Sequence, residues 1–242
     1  MSRTSLGRRH DRALTDSELT LAWQSASLLL GYPDAELSAH LELVRRASRE
    51  LPEPVGGPLR ACVARLTEAS PTELEEDYVD TFDSRRRHNL FLTYFAHGDT
   101  RKRGMALLRF KQAYLASGFE LTDTELPDHL CVVLEYAATV DREVGRGLIL
   151  DHRAGLELLR ISLAEAGSRW AGAVEAVCAT LPPLQGDERE AVRRLAAAGP
   201  PEEEVGLTPY ATPAFDPGPA RPDGPTPSPM PAFPASSRGG VG

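Results

Sequence analysis

The sequence predicts an all-α fold, a single-domain multi-helix bundle followed by an irregular tail, and three observations predict it. Apolar residues recur at three- and four-residue spacing from Leu19 to Leu181. Two capping boxes, Thr15-x-x-Glu18 and Ser70-Pro71-Thr72-Glu73, place a hydroxyl and a carboxylate where each satisfies an orphan amide of a starting helix. No stretch shows the period-two alternation of a half-buried strand. Helices with one apolar stripe must bury it against one another, so a packed body of roughly eight to ten helices is expected.

The first helix starts after Thr15, with Leu19, Trp23, Ala26 and Leu30 on one face, and Gly31-Tyr32-Pro33 stops it. A second is expected over Asp34 to Glu50. The run "LPEPVGGP" reads as a break, with a third helix over Leu59 to Ala69. Pro71 at the first helical position strengthens the Ser70 start, and Leu74, Tyr78 and Phe82 (or Thr81) stripe the helix that begins there. In "NLFLTYFAHG" Phe91, Tyr94 and Phe95 stand at i, i+3 and i+4, which predicts a helix. Leu107, Phe110 and Tyr114 mark the next one, after a cap at Asp99 or Thr100. Leu130, Val133, Leu134, Ala137 and Val144 are read as one helix, with Thr124 as its N-cap and Pro127 in its first turn. Leu156, Leu159, Leu163, Ala166 and Trp170 continue the pattern, then Ala173, Val174, Val177 and Leu181.

Residues 1–14 read as a flexible N-terminus, 15–198 as the helical domain and 199–242 as a Pro/Gly-rich disordered tail. Of the 20 prolines, 12 lie from Pro200 onward without period or apolar face, which favours a solvated tail over a PxxP ligand. Cys62, Cys131 and Cys178 are far apart and form no CxxC, so neither a metal site nor a disulfide framework is indicated, and a cytoplasmic location is expected. No apolar run approaches the length of a membrane span, and no apolar h-region comes after the N-terminal arginines. A net charge of -8 argues against a general nucleic-acid surface. Arginine outnumbers lysine 25 to 2, which is read as a compositional bias of the genome rather than a functional demand.

The motifs HExxH, GxSxG and a phosphate-binding loop are all missing, and no catalytic residue is assigned. Asp128 is expected in a helix's first turn, where the macrodipole favours an acid by about 0.3–1 kcal/mol. His129 beside it would be held neutral and could touch a partner. Arg101, Lys102 and Arg103 open a helix where cations oppose the macrodipole, so they form a candidate site for an anion or an acidic partner. Arg85, Arg86 and Arg87 extend that basic patch, against a neutralising background of Asp80, Asp83 and Asp99. Tyr78, Phe82, Phe91, Tyr94 and Phe95, with Phe110 and Tyr114, concentrate the aromatics; core packing and an apolar peptide groove both explain them. A helical nucleic-acid-binding regulator using residues 85–103 is the rival reading, and an enzyme with His129 as general base is a weaker one.

Two segments, "YVDTFDSRRRHNLFLTYFAHGDTRKRGMALLRFKQAY" and "ELPDHLCVVLEYAA", resemble the respiratory nitrate reductase delta-subunit family of NarJ-type molybdenum-cofactor assembly chaperones. Phe82-Asp83, His97-Gly98, Arg101 with Arg103-Gly104, and Glu125-Leu126-Pro127-Asp128-His129-Leu130 carry the resemblance, which spans about Leu21 to Leu163. The family commonly continues "LPDHLP" where this chain has Cys131. The resemblance implies an all-helical fold of the redox-enzyme maturation type and a cytoplasmic protein that is not an enzyme. It implies as partner the apo catalytic α subunit of nitrate reductase, including its N-terminal segment, with molybdenum-cofactor biosynthesis proteins as further candidate partners. The molybdenum cofactor would be delivered to that partner and not held permanently. Tyr78, Phe82, Phe91, Tyr94, Phe95, Glu125, Asp128 and His129 become the candidate peptide-binding residues on this basis.

Overall fold

At Thr15 the hydroxyl accepts from the Glu18 amide at 3.3 Å while the Glu18 carboxylate accepts from the Thr15 amide at 2.7 Å, and this closed box starts the first helix. In this computed structural model, which describes residues 13–121 and 125–199, eleven α-helices succeed one another. They are α1 (Asp16–Leu30), α2 (Leu37–Ala47), α3 (Glu53–Thr67), α4 (Pro71–Tyr78), α5 (Tyr94–His97) and α6 (Arg101–Ala116). After them come α7 (Leu130–Thr139), α8 (Arg142–Asp151), α9 (Arg153–Glu165), α10 (Ala171–Ala179) and α11 (Gly186–Ala198). A π-helical turn, Val79–Asp83, extends α4, and a short 3₁₀ turn covers Arg86–His88. The expected N-terminal segment and tail lie outside the described residues apart from their inner edges.

The core forms where α1 packs between α7 and α10, and α10 in turn rests on α3. Trp23 and Trp170 are its largest fully buried side chains. Burying an indole strands its N–H unless a partner is supplied, and Trp23 Nε1 donates to Thr180 Oγ1 at 2.9 Å. Gly172 allows α10 to approach α3 closely, since a Cβ there would come within 2.3 Å of the Pro58 carbonyl oxygen. Tyr78 donates its hydroxyl to the Leu30 carbonyl at 2.9 Å, which ties α4 to the end of α1.

Five expectations about the elements are corrected by the structure. The third helix begins at Glu53, because Pro52 serves as its N-cap and Pro54 sits in the first turn, where a missing amide costs nothing. Only Leu37–Ala47 of the expected second helix is helical. The helix expected to run through Val144 stops at Thr139, and Asp141 caps a new one by accepting from the Val144 amide at 2.9 Å. Trp170 belongs to the start of α10 and not to α9, the chain having reversed through Gly167 at φ 63°. Finally, "NLFLTYFAHG" is helical only over Tyr94–His97; Phe91 forms an isolated antiparallel bridge with His129. These breaks, together with α11, raise the number of described helices above the expected eight to ten. Among the described residues no helix is long and apolar enough to cross a membrane.

Candidate partner-binding site

The bridge between Phe91 and His129 brings together three segments that are distant in sequence. The Leu92 amide donates to the Asp128 carbonyl at 3.0 Å and the Leu130 amide to the Leu90 carbonyl at 2.8 Å. Tyr114 of α6 donates its hydroxyl to the Pro127 carbonyl at 2.7 Å, so the third segment is pinned to the same place.

Asp128 is the centre of this junction. Helix α7 starts at Leu130 with His129 as N-cap, so Asp128 stands outside the helix, and the expected first-turn role is corrected. The expected N-cap, Thr124, lies outside the described residues. Asp128 is 0% exposed. Its Oδ2 accepts from the Thr93 amide at 3.2 Å and from the Thr93 hydroxyl at 2.5 Å. Arg103 Nε donates to the same hydroxyl at 3.2 Å, and Arg103 Nη2 stands 3.6 Å from the carboxylate. Arg103 Nη1 also reaches Asp99 at 3.3 Å, and the guanidinium lies 5.2 Å over the Phe91 ring. The Phe91 ring meets the His129 ring edge-on at 5.1 Å. Asp128 Oδ1, Arg103 Nη2 and Thr100 Oγ1 are buried yet make no hydrogen bond to protein.

The candidate residues therefore divide. Phe91, Asp128, His129 and Arg103 share one junction, with Glu125 exposed at its edge. Arg101 and Lys102 stay on the surface, so the three cations form no common site: Arg103 is committed to Asp128, Thr93, Asp99 and Phe91. Tyr78 and Phe82 lie elsewhere, buried against each other at 4.7 Å and against Trp170 at 5.5 Å. Phe110 and Tyr114 join Phe119 and Tyr136 in another buried cluster. Tyr94 and Phe95 are buried too, and Phe95 underlies Gly155, where a Cβ would meet it at 2.6 Å.

Sequence reasoning missed a cleft of about 540 Å³ beside Phe95. It is lined by Leu92, Phe95 and Ala96, by Asp151 and His152 before α9, by Ala154 and Gly155 of α9, and by Ala191, Arg194, Leu195 and Ala198 of α11. Its signal was present: residues 191, 195 and 198 stand at i, i+4 and i+7 and are small or apolar.

Burial pushes the His129 imidazole below its ordinary pKa, with Asp128 and Glu125 opposing the effect only in part. His97 is lowered first by burial and then by His152, Arg109 and Lys102. Cys62, Cys131 and Cys178 are pushed up to about 12 by burial, so all three stay protonated thiols. Among the described residues no group of three His, Cys, Asp or Glu side chains is placed to hold a metal ion.

The family model described as "Nitrate reductase delta subunit" matches residues 48–176. The chain is 41% identical over 160 residues to the nitrate reductase-like protein NarX of Mycobacterium tuberculosis (strain H37Rv), covering 66% of this chain but 24% of that protein. It is 33% identical to a Bacillus subtilis (strain 168) protein named as a probable nitrate reductase molybdenum cofactor assembly chaperone NarJ, covering 69% of this chain and 90% of the relative. With the Escherichia coli (strain K12) nitrate reductase molybdenum cofactor assembly chaperone NarJ it shares 34% identity over 148 residues, 60% of this chain and 63% of the other. All the motif segments of the Asp128 junction lie inside the matched residues 48–176, and on this family match and the identity to the Bacillus relative the chain belongs to the nitrate reductase delta subunit family.

Proposed function

We propose that this protein is an assembly chaperone that binds the apo catalytic α subunit of a respiratory nitrate reductase, including its N-terminal segment. By holding that subunit it keeps it competent for molybdenum-cofactor insertion before membrane attachment, in the cytoplasm and without remaining in the mature enzyme. Membership of the delta-subunit family and the names of the Bacillus and Escherichia relatives support the general role. The cofactor is passed to the partner and not retained, and proteins of cofactor biosynthesis are natural further partners.

The observation that carries the reading is the cleft bounded by α5, α9 and α11. Its lining is mainly apolar, with Asp151, His152 and Arg194 as its polar members, so one apolar face of an amphipathic helix can lie in it, with anchors at i, i+3, i+4 and i+7. The basic rival is weakened because Arg85 pairs with Asp80 at 2.8 Å, Arg87 donates to the Ala196 carbonyl at 3.0 Å, and Arg103 faces Asp128.

The test is calorimetry with peptides from the α-subunit N-terminus, using the full chain and the rim variant Ala198→Trp, which fills the cleft from an exposed position. Saturable binding by the wild type, weakened at least tenfold in the variant, is expected. Equal affinity in both would move the site away from this cleft, and absence of binding to apo α subunit would end the chaperone reading.

A further inference from the structure

One apolar surface of the molecule takes no part in the cleft. Met105, Leu108 and Leu115 of α6 are 68%, 43% and 69% exposed. With Gln112 they succeed one another at three- and four-residue steps along one side of the helix, while Phe110 and Tyr114 turn the opposite side into the body. The helix carries basic residues and no acid: Arg101, Lys102, Arg109 and Lys111 are exposed, and none of them makes an ion pair within the described residues. Beyond its C-terminal end the sign reverses, for exposed Glu120 and Glu125 border a shallow cleft with Lys111 and Leu115.

We propose that this ridge is a self-association face, on which α6 of two copies packs antiparallel about a two-fold axis. A two-fold interface uses the same patch twice, so the patch must be complementary to itself. This one is. Antiparallel pairing centred midway along the ridge sets Met105 of one copy on Leu115 of the other and Leu108 beside Gln112. The same register brings Arg101 of each copy toward the end of its mate's ridge, where Glu120 borders Leu115. Met105 and Leu115 are about 15 Å apart along the helix at 1.5 Å per residue, so both contacts are made at once and each is made twice. An anionic lipid surface would be attracted at one end of the ridge and repelled by Glu120 and Glu125 at the other. A wholly acidic helix would meet the same conflict. A single ridge falls below the ~800 Å² per partner of a stable interface, so the dimer is weak, reversible and weakened by salt.

Sedimentation velocity of the full 26.3 kDa chain tests this over about 1 to 500 μM at low and high salt, the range that brackets weak association. The expected result is a concentration-dependent monomer–dimer equilibrium that salt weakens. Arg101→Glu and Glu120→Arg each set like charges together in both symmetry-related contacts and should weaken the dimer at least tenfold. An equimolar mixture of the two variants should recover wild-type association, because the mixed dimer has opposite charges at both contacts. Arg101→Glu places an acid at a helix start and does not endanger the fold. Both variants should bind α-subunit peptides like the wild type, which separates this proposal from the cleft. A monomer at every concentration, or a dimer that neither variant weakens, overturns it.

Discussion

The body around α1, α3 and α10 and the region around α6 are held by different forces. In the first, Trp23, Leu59, Val63, Trp170, Val174 and Val177 are buried against one another, and polar ties such as Trp23 to Thr180 are added to that burial. In the second, α6 buries only Phe110 and Tyr114 of its sixteen residues. What fixes it is a set of hydrogen bonds: Tyr114 to Pro127, Ser117 to Tyr136, and Arg103 to Thr93 beside Asp128. Apolar burial is non-directional and shared among many residues, whereas a polar tie depends on one or two atoms. A region held in the second way opens locally at lower cost, and binding surfaces are drawn from such regions.

Trp170→Ala should have the largest effect. It empties a site shared by Tyr78 and Phe82 and is expected to cost about 3–5 kcal/mol, read as a lowered midpoint in urea unfolding. Amide exchange should rise throughout the chain. A loss confined to the α4 region would show that the core is less cooperative than its shared burial implies.

Asp128→Ala comes next, at about 2–3 kcal/mol, because it leaves the Thr93 amide without its acceptor and the Arg103 guanidinium without its buried counter-charge. The first-turn reading of the sequence gives about 0.3–1 kcal/mol, so the measured value chooses between the two. Exchange should accelerate in α6 and in residues 89–93 while α1, α3 and α10 stay protected. If α1 is exposed as readily as α6, the two regions are one cooperative unit.

Gly155→Ala carries the same contrast to the cleft. A Cβ there would lie 2.6 Å from Phe95, so α5 must shift off α9, at about 1–3 kcal/mol. Peptide affinity should fall with it. Retained affinity would show that Phe95 does not shape the binding surface.

The same division explains what could be read from the sequence. Stripes such as Leu19–Trp23–Ala26–Leu30 and both serine or threonine capping boxes were legible, because period and cap chemistry are local. Asp128 was recognised as notable, but its acceptor role was not legible: its donor Thr93 and its counter-charge Arg103 are 35 and 25 residues away, and only the Phe91–His129 bridge brings them near. Tyr78 and Phe82 could be read as groove or core, and the deciding neighbour, Trp170, is remote in sequence. The cleft was missed because α11 returns to pack against α9, a long-range event that helical period alone does not specify.

The smallest expected effect concerns the histidines, and it tests whether the Phe91–His129 contact is structural. The imidazoles of His88, His97 and His129 are each lowered below the ordinary value, burial being the first cause in all three. For His129 burial comes first, with Asp128 and Glu125 opposing it. Between the lowered folded value and the ordinary unfolded value near 6.5, the unfolded chain binds a proton that the folded chain refuses. Stability is therefore full above about pH 6.5 and declines as pH falls below it. One histidine can account for no more than about 1.4 kcal/mol per pH unit. His129→Gln should flatten the decline measured by urea unfolding between pH 7 and 5.5, with little change at pH 7. If the variant keeps the wild-type slope, protonation of His129 is tolerated in place, and the Phe91 edge contact is not what holds the junction closed.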